Sequence, residues 1–148
     1  VVARTEYDAT LRAVPFARPE FILVARPDHP LARRGTISIS ALSGESLIIR
    51  EHGSGSRYAI FRKLQQHGVT PSVVVESESL SFILGYIERK MGVSFILSHE
   101  IEKELAEGIL KQINLEEGNI VFRADILTRR DEPMSAPMRY FLKIARKR

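Results

Sequence analysis

Four serine hydroxyls in two short turns are the residues of this chain best placed to do chemistry. The first turn lies in the stretch REHGSGSRYAIFRKL, Arg50 to Leu64, where the apolar run Leu47-Ile48-Ile49 breaks into two glycines and two serines. A helix-patterned segment follows at once. Gly53 and Gly55 let the backbone turn where a Cβ would clash. Ser54 and Ser56 are good N-cap residues, whose hydroxyls can hold the first free N–H groups of the helix. A strand, a small-residue turn and a helix start together make a seat for something small and negative. The second turn, Val75-Glu76-Ser77-Glu78-Ser79, also runs from strand into helix and supplies Ser77 and Ser79. Its carboxylates Glu76 and Glu78 suit the helix dipole, but they repel an anion if they point inward. A plain capped helix start, with no ligand, accounts for either turn alone.

Other chemistries find less support. The G-x-S-x-G of a nucleophile elbow is absent, since Gly53-Ser54-Gly55 has the wrong spacing. The same loop lacks the lysine of a P-loop and the third glycine of a dinucleotide fingerprint. His29, His52, His67 and His99 are dispersed, with no metal-binding pair among them. No pair of carboxylates is singled out for acid–base work. The expectation is a binding protein and not an enzyme, with no cofactor and no metal.

The 148 residues suit one domain or two small lobes, and 44% hydrophobic with 27% charged residues is an ordinary globular balance. The absence of cysteine excludes a disulfide scaffold, a thiol nucleophile and a cysteine metal site. No apolar run is long enough to span a bilayer, and the start VVARTEYDATLR lacks the order of a signal peptide. A cytoplasmic location and no membrane partner are therefore expected. The net charge is +4, with much of the excess at Arg129-Arg130 and in the tail Lys143 to Arg148. Cations near a helix end suit its macrodipole. A nucleic-acid site would also want aromatic or groove-reading elements among the charges, and these are missing.

The turns need elements to position them, and strands alternate with helices along the chain. Phe21 to Val24, Leu47 to Arg50, Val73 to Val75 and Val93 to Leu97 read as buried strands. Ile109 to Leu115 and Ile120 to Leu127 read as two more. A helix from about Ser56 carries Ile60, Phe61 and Leu64 on one face and stops at Gly68. The next has Leu80, Ile83, Leu84 and Ile87 at helical spacing and ends near Gly92. A short charged helix spans Ser98 to Glu107, and a last one, Ala136 to Arg146, buries Met138, Phe141, Leu142 and Ala145. The alternation predicts an α/β fold with a mostly parallel sheet. Ligands of such sheets bind at the carboxyl ends of the strands, where both serine turns lie.

An ordered series of motifs then resembles the effector-binding domain of LysR-type transcriptional regulators. It runs from Phe21-Ile22-Leu23-Val24 and His29-Pro30-Leu31-Ala32 through Leu47-Ile48-Ile49-Arg50-Glu51 and Gly53-Ser54-Gly55-Ser56-Arg57. Val75-Glu76 with Ser79, Ile87, Met91-Gly92-Val93-Ser94, Glu104-Leu105 and Gly108-Ile109-Leu110 continue it. Two departures stand out: Lys90 replaces the first glycine of the family's G-x-G, and Ile96-Leu97-Ser98 lacks its proline. The resemblance implies a periplasmic-binding-protein-like two-lobed fold, with the second lobe complete and the first partial. Residues 1–35 would give a partial first lobe and hinge strand, 36–119 the second lobe, and 120–148 the return strand and final helix.

The resemblance further implies an effector in the interlobe cleft. It would be a small anion or carboxylate held by Gly53, Ser54, Gly55 and Ser56, by Ser77 and Ser79, and by Arg4. The partners implied are that effector, further copies of the chain in a homo-oligomer, and promoter DNA only through a helix-turn-helix that this chain lacks. The glycine-serine turn looks most like branches of the family tied to sulfur or other oxyanion metabolism. A solute-binding protein for a small anion is the alternative. A chain lacking the first units of lobe one is expected to leave Phe21, Leu23, Phe141 and Leu142 short of cover and to self-associate.

Overall fold

Long apolar runs make the middle of the larger sheet. Phe21-Ile22-Leu23-Val24-Ala25 is buried throughout, as a strand must be when both faces of its sheet are covered. The computed structural model describes residues 8–145 and divides into two compact units. One is Glu20–Val121; the other is formed, among the described residues, by 8–19 and 122–145.

The first unit is built on strands β2 (Glu20–Ala25), β3 (Thr36–Ile37), β4 (Ser46–Ile49), β5 (Ser72–Glu76), β6 (Val93–Leu97), β7 (Lys111–Leu115) and β8 (Ile120–Val121). Their order across the sheet is β3-β7-β2-β6-β4-β5, with β8 also on β2. β4 runs parallel to both β5 and β6, whereas β2 runs antiparallel to β6, β7 and β8. The mostly parallel sheet expected from the alternation is thus a mixed one. A continuous apolar run is buried on both faces whichever way its neighbours point, so the pattern carries no direction.

Four α-helices complete this unit: α1 (Pro30–Arg34), α2 (Gly55–Gln66), α3 (Leu80–Glu88) and α4 (Glu102–Ala106). The stripe of α3 buries Ile83 and Ile87 against Ile22, Val24, Ile48 and Ile96 of the sheet. Truncating any one of these isoleucines removes methyl groups from a closed core, at a cost of ~2–5 kcal/mol. α2 buries Ile60 and Leu64, while Phe61 is only half-buried. α3 ends in a Schellman motif: Lys90 N–H donates to Ile87 O and Met91 N–H to Tyr86 O. Lys90 takes the left-handed position at φ 63°, where the resemblance implies a glycine. The charged helix expected from Ser98 is a single 3-10 turn, Ser98–Glu100, followed by α4.

The second unit pairs β1 (Leu11–Ala17) antiparallel with β9 (Ala124–Arg129) and carries α5 (Ala136–Ala145). α5 buries Leu142 and Ala145, but Met138 and Phe141 are exposed, contrary to the expected pattern. Phe21, Leu23 and Leu142 are buried, so of the four residues expected to lack cover only Phe141 does.

One boundary also moves. The strand read as Ile120 to Leu127 is two strands, β8 and β9, in different sheets. The compact unit Glu20–Val121 has β2 at the middle of its sheet.

Candidate functional site

The parallel pairing of β4 with β5 decides where the serine turns lie. Ile49 stands opposite Glu76 at the carboxyl ends of the two strands, and Ser77 N–H continues the ladder by donating to Ile49 O at 3.1 Å. The β4–α2 and β5–α3 turns therefore leave the same edge of one sheet, side by side. Phe21 pairs with Leu97, and Glu20 with Val121, so the ends of β2, β6 and β8 reach that edge as well.

The two helix starts differ. Ser54 is the N-cap residue of α2, but its side chain caps nothing. Its hydroxyl pairs instead with that of Ser56. The expected capping by Ser54 and Ser56 is not made, and the first N–H groups of α2 are left without a side-chain acceptor. Gly53 turns the chain at φ 87°, a left-handed angle that favours glycine, although a Cβ there meets open space. Gly55 is the first helical residue and is not left-handed, so of the two glycines only Gly53 carries the expected turn.

The α3 start is closed. Ser77 Oγ accepts from Ser79 N–H at 3.1 Å, and Ser79 Oγ accepts from Phe82 N–H at 3.4 Å and pairs with Ser81 Oγ at 2.8 Å. Both hydroxyls thus shape their own turn, and α2 offers the more open donors. Ser54, Ser56, Ser77 and Ser79 are all half-buried. Arg4 lies outside the described residues.

The carboxylates are restrained. Arg50 Nε donates to Glu51 at 3.0 Å, and that bond first, with its charge, holds the Glu51 carboxyl below its ordinary value. Glu76 does not stand bare beside the site, because Arg57 donates to it at 2.8 Å. Arg57 and Glu76 are the site residues that reasoning from types and spacing missed as a pair. Among the described residues no cluster of acids and histidines could hold a metal ion, and no helix is long and apolar enough to cross a membrane. Phe95, read as core and not pocket, is buried in β6.

A family model described as the LysR substrate binding domain matches residues 1–148. The regulator CbbR of Xanthobacter flavus is 36% identical over 97 residues, 64% of this chain and 29% of its own length. A RuBisCO operon transcriptional regulator of Allochromatium vinosum is 30% identical over 106 residues, 72% of this chain and 35% of its own. The chain thus spans about a third of the length of these relatives. Among solved structures, the CcmR regulatory domain of Synechocystis PCC6803 in complex with 2-PG superposes with a TM-score of 0.85 and 30% identity. That match covers 97% of this chain and 69% of the other.

Proposed function

The chain belongs to the LysR substrate binding domain family, and we propose that it is the ligand-sensing part of a transcriptional regulator, binding a small anion at the open start of α2. The observation that carries this reading is the uncapped helix start. Its first N–H groups have no side-chain acceptor, two hydroxyls stand in the same turn, and the positive end of the helix dipole favours negative charge there. The likeness to a regulatory domain that holds 2-PG supports the same ligand class. It also favours the regulator over the solute-binding alternative.

The residues proposed for the anion are Gly53, Ser54, Gly55 and Ser56, with Ser77 and Ser79 shaping the adjoining turn. Arg4 joins the set on the strength of the resemblance alone. The chemistry is recognition and not catalysis. An effector that binds one conformation better than another shifts the population toward it, and only that difference in affinity does the work. In the whole regulator this shift would act on a homo-oligomer that reads promoter DNA through a helix-turn-helix, in the cytoplasm.

Calorimetric titration of the chain with 2-PG, inorganic sulfate and small carboxylates tests the reading. At least one anion is expected to bind. Changing Ser54 and Ser56 together to Ala removes hydrogen bonds to a charged ligand, each worth ~1.5–3 kcal/mol, and so weakens binding at least about tenfold. Binding that ignores both changes would refute the assignment.

A further inference from the structure

An arginine in the first turn of a helix faces the positive end of the macrodipole, where a cation is disfavoured. Arg57 occupies that place in α2, whose first turn holds no acidic residue. Its compensation comes from four directions. One guanidinium nitrogen donates to the carbonyl of Arg50, just beyond β4, at 3.1 Å. The other reaches Glu76 Oε1, the last residue of β5, at 2.8 Å. The same nitrogen lies 3.2 Å from His52 Nε2 in the turn itself. The guanidinium carbon stands 4.8 Å from the centre of the Phe61 ring, one turn further along α2. The Arg57 side chain is only 12% exposed, while its partner Glu76 is 36% exposed, so the guanidinium is the more shielded end of the pair.

We propose that Arg57 is a positioning residue: it ties the β4–α2 turn to the end of β5 and neutralises Glu76, so that an anion at the start of α2 meets an ordered turn and no bare carboxylate. The proposal rests on the anion-sensing reading for its ligand, but not for its mechanical part. Arg57 acts here through the turn, with its terminal nitrogens on Arg50 O and Glu76. Glu76 is the handle through which β5 holds the turn. Removing Glu76 therefore harms anion binding, although it deletes a negative charge near the site. Charge alone predicts the opposite sign.

The test uses the 148-residue chain with R57A, E76A, the double variant R57A/E76A, R57K and the Ser54/Ser56 double alanine. Amide hydrogen exchange without ligand reads the turn, and calorimetry with 2-PG reads the site. E76A and R57A are each expected to speed exchange over residues 51–56 about tenfold and to weaken 2-PG about tenfold. The double variant falls no further than the worse single, because the two act through one contact. R57K keeps the ion pair with Glu76 but loses the fork that also reaches Arg50, and lands between wild type and R57A.

Tighter or unchanged 2-PG binding in E76A overturns the proposal, as does unchanged exchange in the turn. A drop in melting temperature with an unaltered dissociation constant also overturns it, since that is a merely structural role. If the serine variants leave all anion binding intact, the anion site fails by itself. The exchange data then still judge whether Arg57 holds the turn.

Discussion

Replacing Gly92 with Ala should be among the most damaging single-methyl changes available to this chain. Gly92 precedes β6 at φ 149°, and a Cβ there would sit 2.1 Å from Ser46 O and 2.9 Å from both its carbonyl carbon and its Cβ. Ser46 opens β4, which pairs in parallel with β6 through Leu47 with Val93 and Ile48 with Ser94. The obstacle is mainly backbone, so no side-chain rotation relieves it. Carbon contacts settle near 3.5 Å, so the two strands must part by on the order of 1 Å. Overpacking of this kind costs ~1–3 kcal/mol, and the disfavoured backbone angle adds ~1–3 kcal/mol. The sum of about 2–6 kcal/mol is a large part of the ~5–15 kcal/mol that holds a domain folded.

Gly44 supplies the control. It is left-handed at φ 74°, but a Cβ there meets nothing within 4 Å. Its change to Ala carries the backbone cost alone, ~1–2 kcal/mol. At ~4–8 °C per kcal/mol for a unit of about this size, Gly92→Ala should melt roughly 10 °C or more below wild type and well below Gly44→Ala. Urea unfolding followed by circular dichroism gives the same comparison as free energies. If Gly92→Ala is no less stable than Gly44→Ala, the reasoning from the Ser46 contact is wrong.

The carboxyl of Asp28 is held at about 2 by the hydrogen bond from Lys90 at 2.6 Å and then by that from Arg26. A depressed carboxylate adds stability that is complete above its ordinary value of 3.8 and is lost as pH falls from there through about 2. D28N should therefore lower stability at neutral pH and flatten the acid arm of a pH–stability curve; an arm that superimposes on wild type refutes this. Ser94 is fully buried on β6, and its hydroxyl has no partner among the described residues. Ser94→Ala should stabilise the chain by ~1 kcal/mol in urea unfolding, and a loss of that size would show that the hydroxyl is bonded.

Local pattern read the helices and the central strands well, because burial at one spacing leaves a visible trace. Ile83 and Ile87 are buried just where the helical stripe puts them. What pattern could not read was partnership. β2, β4 and β6 all show continuous apolar runs, yet β4 is parallel to β6 and β2 antiparallel to it. β1 escaped notice because LRAVPFA buries only Val14 and contains Pro15. That proline lies where the register with β9 slips, the kind of place in a strand that tolerates it. Ile120 to Leu127 looked like one strand because nothing local marks Phe122 as the point where the chain changes sheet.

At the site, residue types were legible and directions were not. Glycine and serine announced a turn before α2, but nothing in their order says that Ser54 and Ser56 bond to each other and leave the helix start open. The better clues were two residues that break a local rule. Arg57 is a cation at a helix start with no acid beside it, and Lys90 stands in a left-handed position that glycine fills more cheaply. Each departure is costly where it stands, and each has a charged partner distant in sequence. Glu76 answers the first at 2.8 Å and Asp28 the second at 2.6 Å. A local violation is thus a pointer to a tertiary partner. At Arg57 that partner ties the turn of the proposed anion site to the strand beside it.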